Sequence, residues 1–167
     1  SLIDQNNGGI ISYPGPIDSQ LTIPGNYVDS FIGQMMVRRT AEIYAWDRDE
    51  DDEGHVSWSM EWMGNLQSNS RNNGVRQSLS SHDFILDKYQ VGELTVDSNS
   101  IEFVDSYEPI PVSQLTISPA GIEVELHASG EYLSIKKKQA SNLGDERVSY
   151  KGIPIASTTT YFGKLEK

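Results

Sequence analysis

The residues best equipped for chemistry lie between Asp47 and Glu53, where Arg48 alone is not acidic. Carboxylates at alternate positions can ligate a hard cation, and Asp49-x-Asp51-x-Glu53-Gly54 resembles the first half of an EF-hand loop. Such a loop needs a bidentate carboxylate at its twelfth position. Here that position is Met60, and the flanks read as strands rather than helices. Asp47, Asp49, Asp51 and Glu53 therefore make a weak cation loop, and no metal is assigned to it. The simpler reading is the solvated tip of a hairpin.

Other candidates are isolated. His55, His82 and His127 are scattered, whereas zinc ligands and catalytic histidines come with clustered partners. Ser80, Ser81, His82 and Asp83 superficially suggest a triad, but triad members converge from separate segments. Glu123 and Glu125 are paired carboxylates, yet spacing alone does not make an acid/base pair. No G-x-S-x-G elbow, H-E-x-x-H or phosphate loop occurs. Trp58 and Trp62 could stack on sugars. Sharing a strand face with Val56 and Met60, they read more simply as core.

Composition narrows the field further. The 167-residue chain has 37% hydrophobic residues, 22% charged residues and a net charge of −11, which fits a globular domain and disfavours nucleic acid or an anionic membrane surface as partner. Its only basic cluster, Lys136-Lys137-Lys138, ends an apparent strand and reads as a solvated edge. The absence of Cys removes thiol catalysis, Cys-ligated zinc and disulfides. No stretch approaches the ~18 apolar residues of a membrane span. No cofactor is implied.

Hydrophobic periodicity indicates the elements that would hold these residues. Met35, Val37, Ala41, Ile43 and Ala45 share one parity over 34–46, and Arg38, Glu42, Tyr44 and Trp46 share the other, which predicts a long strand. Val56, Trp58, Met60 and Trp62 alternate with polar residues and predict a second strand. Paired antiparallel with Trp46 opposite Val56 and Tyr44 opposite Trp58, the two strands keep their aromatic residues on one face. Arg38 and Glu42 lie on that same face, where their side chains could pair. Residues 1–33 are turn-rich, with short strands at Ile10-Ile11 and 21–23. Residues 64–82 read as loop, 83–97 as one or two strands bent at Gly92, and 98–106 as a short helix. "SQLTI", "GIEVEL" and "EYLSIKK" are strand candidates separated by turn residues, and 145–162 adds two more. The fold class is mainly β, with α+β as the variant: antiparallel strands and hairpins with one or two short helices. The expected organisation is N-terminal strands and loops over 1–33 and a β-rich body over 34–167, read together as one continuous domain.

Several segments taken in order resemble a known family. "R-x-x-E-I-Y-x-W" covers Arg39, Glu42, Ile43, Tyr44 and Trp46. A charged loop and a strand ending Glu61-Trp62 follow. Then come "QVGEL", containing Gly92, and "GDERVSY", with Gly144, Asp145 and Arg147. This series is similar to the LUMA family, also called the transmembrane protein 43 family, whose pattern has R-x-V-E-M-Y-x-W, a later E-W, Q-[IV]-G and G-D-x-R-V-S-[FY]. Ala41 replaces the family's usual Val, the loop before Phe84 aligns only with gaps, and residues 1–33 match poorly.

The resemblance implies an integral membrane protein whose large extramembrane domain lies between a first membrane helix and a later cluster. In eukaryotes that domain is lumenal, in the endoplasmic reticulum and inner nuclear membrane. There the family associates with other envelope proteins and organises membrane. The expected role of this chain is thus a non-enzymatic scaffolding domain on the lumenal or extracytoplasmic side, held to the membrane by helices outside it. Its expected partners are other membrane or envelope proteins, or further copies of itself, and not nucleic acid. No catalytic residue carries over. The motif residues would serve mostly the fold. Two other readings stand beside this one: a cation- or ligand-binding module built on the acidic loop and aromatic strand, and a carboxylate hydrolase of unrecognised type.

Overall fold

A computed structural model describes residues 10–15, 21–87, 89–91, 94–96, 106–136, 141–155 and 159–164. Among these the chain is built of strands: β1 (Ile10–Gly15), β2 (Thr22–Pro24), β3 (Ser30–Ile32), β4 (Gln34–Glu50), β5 (Val56–Met63), β6 (His82–Ile85), β7 (Tyr89–Val91), β8 (Leu94–Val96), β9 (Glu108–Ile110), β10 (His127–Ser129), β11 (Tyr132–Ser134), β12 (Glu146–Pro154) and β13 (Thr159–Lys164). Single 3₁₀ turns at Ser70–Asn72 and Val112–Gln114 are the only helical pieces among the described residues. The chain is mainly β. The expected short helix over 98–106, and Gly92, lie outside the described residues, apart from Ser106.

The principal sheet has seven strands. Its path runs β10-β11-β12-β4-β5, with β6 on the β4 edge and β9 on the β12 edge. Every pairing in it is antiparallel. The long β4 is its spine. Odd residues of β4 face inward: Met35, Val37, Ala41, Ile43 and Ala45 are all buried. Val148 and Tyr150 of β12 and Leu133 of β11 continue that face, and Tyr27, Val28, Phe31, Leu79 and Leu86 pack over it. The Phe31 ring lies 5.3 Å from Phe84 and 5.4 Å from Tyr150, the separation of favourable tilted aromatic pairs. The β2–β3 hairpin thus contributes to the same core as the main sheet.

Three expectations about the strands are corrected. The β4–β5 register is displaced by four residues: Trp46 stands opposite Met60 and Tyr44 opposite Trp62. An even displacement keeps every side chain on its face, so the aromatic alignment survives. The cause is that β4 runs through the acidic residues to Glu50, and only Asp51–His55 form the turn. Next, the aromatic parity lies on the outer face and is not core. Last, of the three strand candidates over 113–137, "SQLTI" contains part of a 3₁₀ turn and, among the described residues, one isolated bridge, Val28 to Ile117, and "GIEVEL" joins no ladder among them. The hairpin forms later, as β10–β11, closed at Gly130 with φ of 62°. A third N-terminal strand, β3, also goes beyond the pieces expected there.

Candidate functional site: an aromatic and arginine face on a projecting arm

Beyond Ala45 the β4–β5 pair leaves the core. Burial along β4 changes from alternating to continuous exposure at Arg48, Asp49 and Glu50. On β5, Ser57, Ser59 and Glu61 are exposed, and Trp58, Met60 and Trp62 are half-buried. The hairpin is therefore a two-stranded arm, wet on both sides at its end.

The outer face of this arm carries a ladder of rings and guanidinium groups. Tyr44 and Trp62 are direct cross-strand neighbours with centroids 5.2 Å apart. Trp46 and Trp58 meet edge-on at 6.4 Å and 88°. The Arg71 guanidinium lies 4.6 Å from the Trp46 ring and 4.3 Å from Trp58. Arg147 lies 3.9 Å from both Trp62 and Tyr132, and its Nε donates to Glu42 Oε1 at 3.1 Å. A cation over an aromatic face contributes about 0.5–1 kcal/mol at an exposed site. Beside it, Trp62, Tyr132, Lys136, Asp145 and Arg147 line a cleft of about 170 Å³.

Sequence motifs far apart in the chain meet here. Antiparallel pairing sets Arg147 opposite Glu42 and Tyr150 opposite Arg39. Tyr44 donates its N–H to the Asp145 carbonyl, and its own carbonyl accepts from Gly144 N–H. Gly144 has φ of 90°, a left-handed conformation that favours glycine. The Asp145 carboxylate accepts from Asn142 N–H at 2.7 Å and pairs with Lys136 Nζ at 2.7 Å.

The transmembrane protein 43 family matches residues 39–167 of the chain. The chain belongs to the transmembrane protein 43 family. Proteins of that family are membrane proteins, and the match begins at Arg39, the first residue of the first motif. No curated protein and no solved structure matches the chain. Among the described residues no helix is long and apolar enough to cross a membrane. The structure gives the family motif a physical content: "R-x-x-E-I-Y-x-W" and "GDERVSY" are two adjacent strands in register.

The motif residues have different tasks. Arg39 is only 1% exposed. Its Nε donates to the Ser80 carbonyl at 2.7 Å, its Nη1 donates to Asn26 Oδ1, and its guanidinium lies 3.6 Å from the Tyr27 ring. No carboxylate pairs with it among the described residues. Glu42 and Arg147 form a cross-strand ion pair. Arg38 pairs with Asp83 at 2.8 Å rather than with Glu42, and that contact lowers the Asp83 carboxyl below its ordinary value. Glu61 is exposed, accepts from Ser59 Oγ and stands outside the ladder.

The acidic residues do not converge. Asp51 accepts from Glu53 N–H, His55 N–H and His55 Nδ1, so its carboxylate closes its own turn. The backbone N–H of His55 is the main cause of its lowered pKa. Asp47 accepts from Gln67 Nε2. No group of three His, Asp or Glu residues is placed to hold an ion among the described residues.

Glu146, Arg71, Tyr132, Gln67, Asn69 and Asn72 were missed by sequence reasoning. Glu146 is 3% exposed and accepts from Ser78 and Leu79 N–H, each at 2.8 Å. Burial raises its pKa despite those two bonds. β12 ends its pairing at Ile43, so Trp46 and Arg48 would lack partners on that side. Side-chain amides replace the strand: Asn72 Oδ1 accepts from Trp46 N–H and Gln67 Oε1 from Arg48 N–H, while Asn69 and Asn72 donate to the Trp46 carbonyl. Only the cluster of Asn and Gln in "NLQSNSRNN" hints at this, through the capping habit of such residues.

Proposed function

We propose that this chain is a non-enzymatic scaffolding domain of a membrane protein, placed on the lumenal or extracytoplasmic side, whose projecting arm docks other membrane or envelope proteins. The observation that carries this is the half-exposed ladder of Tyr44, Trp46, Trp58, Trp62, Arg71 and Arg147. Trp, Tyr and Arg are the residues that dominate binding at protein interfaces, because each combines large apolar area with few rotatable bonds or a planar donor fork. Here the ladder is already ordered by ring and cation contacts, so binding loses little side-chain entropy. The acidic turn at the arm tip would steer basic surfaces toward it.

A photo-crosslinking residue replacing Trp58 in the full-length protein, in its native membrane, tests this reading. We expect it to capture a membrane-protein partner that the same residue at exposed Glu123 does not. Capture of nothing, or of the same proteins from both positions, would sink it.

A further inference from the structure

The arm has two edges, and they are treated differently. Even residues of β4 turn their backbone toward β12, as Tyr44 bonding to Gly144 and Asp145 shows. Odd residues of β4 therefore turn toward β5, and Ile43↔Met63, Ala45↔Glu61, Asp47↔Ser59 and Asp49↔Ser57 are the hydrogen-bonded pairs. It follows that Val56, Trp58, Met60 and Trp62 direct their N–H and C=O groups away from the sheet. None of these groups has a backbone or side-chain partner among the described residues. On the opposite edge, Gln67, Asn69 and Asn72 satisfy the backbone of Trp46 and Arg48 in β4. One edge is closed by amides and the other is left open. The open edge also lacks the usual protective devices: β5 has no Pro, no Lys and no bulge in its pairing.

We propose that β5 pairs antiparallel with β5 of a second copy of this chain, about a two-fold axis at Ser59. The strand is complementary to itself in that register. Val56 stands opposite the partner copy's Trp62, and Trp58 opposite its Met60, so apolar side chains meet on the aromatic face. The sole charge on β5, Glu61, meets Ser57 and not another carboxylate. Every outward N–H and C=O of Val56, Trp58, Met60 and Trp62 then finds a partner, whereas a shift of two residues either way leaves some unpaired. The two acidic turns lie at opposite ends of the joined strands, about 40 Å apart at ~3.4 Å per residue, beyond the Debye length at physiological salt. The result is an isologous four-stranded sheet, β4-β5-β5-β4, in place of two exposed ribbons. This pairing does not depend on the docking reading, because its hydrogen bonds are made by the backbone edge and need no other protein on the ladder face.

The chain has no Cys, so single cysteines report the register without background. Opposed residues at Ser59 form a non-hydrogen-bonded pair, whose Cα separation of about 4.5 Å lies within disulfide range. We expect sedimentation to show the mass doubling with concentration, and the association to strengthen with salt as the −11 charges are screened. Ser59→Cys should link into a dimer under mild oxidation and Ser57→Cys should not. Met60→Pro removes an outward N–H without touching the β4 ladder and should weaken association by roughly tenfold or more. A chain that stays monomeric at every concentration overturns the proposal, as does linking at Ser57→Cys equal to that at Ser59→Cys. The cysteine pair decides the matter even where Met60→Pro fails to fold.

Discussion

The two halves of β4 obey opposite rules. From Met35 to Ala45 the strand alternates between a buried and a half-exposed face, and its buried face admits one charge, Arg39. From Trp46 to Glu50 no face is buried, and Asp47, Arg48, Asp49 and Glu50 follow one another without relief. The inner half shows what a buried cation requires: Ser80 O, Asn26 Oδ1 and the Tyr27 face take the place of hydration. The outer half shows that acidic residues in water need no such provision. Charge count alone therefore points to the wrong end of the strand as the structurally sensitive one.

The sharpest way to break this comparison is Arg39→Met. It should cost about 3 kcal/mol, because the buried side chain loses its charge-assisted bonds to Ser80 O and Asn26 Oδ1 and its contact with the Tyr27 ring. A urea midpoint close to that of the parent would show that Arg39 is not the organiser of the inner half. The boundary between the halves comes next. Arg147 meets Glu42, Trp62 and Tyr132, so Arg147→Ala should cost about 1–2 kcal/mol. Arg147→Lys should recover little of it, because lysine lacks the planar fork that lies between two rings. Full recovery by lysine would reduce the contact to simple charge.

Glu146 gives the comparison a dependence on pH. Its folded pKa is raised above 4.5 by burial, so the folded state holds its proton more tightly than the unfolded chain. That contribution is fully present below 4.5 and is lost as pH rises through the folded value. Glu146→Gln keeps an acceptor for Ser78 and Leu79 N–H without a buried charge. The variant should show a flatter stability–pH curve over the window above 4.5, with little change at low pH. A parent curve that rises with pH across that window would contradict the burial account. Tyr150 makes a smaller test. Its hydroxyl is buried without a hydrogen bond among the described residues, and burial pushes its pKa up to about 12. Tyr150→Phe should leave stability unchanged or raise it by up to about 1 kcal/mol, because no bond is lost and an unpaired buried hydroxyl is removed.

How much of this was legible in the sequence depended on the distance between partners. Alternation over 34–46 and 56–63 revealed the strands and the shared aromatic face, because that signal is local. It could not say which face is core, since Tyr44, Trp58 and Trp62 are as apolar as the residues inside. The register was misjudged because the acidic run reads as a turn, whereas a ribbon wet on both sides accepts carboxylates within a strand. Arg39 sits at an inward position among Val37, Ala41 and Ile43, but its charge breaks their apolar pattern, so its burial was not legible. Arg71 and Asn72 act from a polar loop with no periodicity, and nothing in their neighbourhood announces the rings and backbone they serve. The motifs at Arg39–Trp46 and Gly144–Tyr150 were readable as family marks. Only the fold shows that they are paired strands.

The smallest expected effects belong to the acidic end, and they test its half of the comparison. Asp49→Asn or Asp52→Asn removes an exposed charge with no specific partner among the described residues, so stability should move by less than about 0.5 kcal/mol, in the favourable direction for a chain of net charge −11. Asp51 is the exception within the same run. Its carboxylate accepts from two backbone N–H groups and His55 Nδ1, and its pKa is lowered from 3.8. The sign is therefore opposite to that of Glu146: the contribution is present above 3.8 and is lost as pH falls through the folded value. Asp51→Asn keeps an acceptor and should preserve the turn, whereas Asp51→Ala should loosen Asp51–His55 and leave the β4–β5 pairing below it in place. Amide hydrogen exchange separates these outcomes, because Glu53 and His55 N–H should lose protection while Asp47 and Ser59 N–H do not. If protection at Ser59 collapses together with that at His55, the turn would be organising the arm. The acidic end would then have to be counted with the structural half of β4.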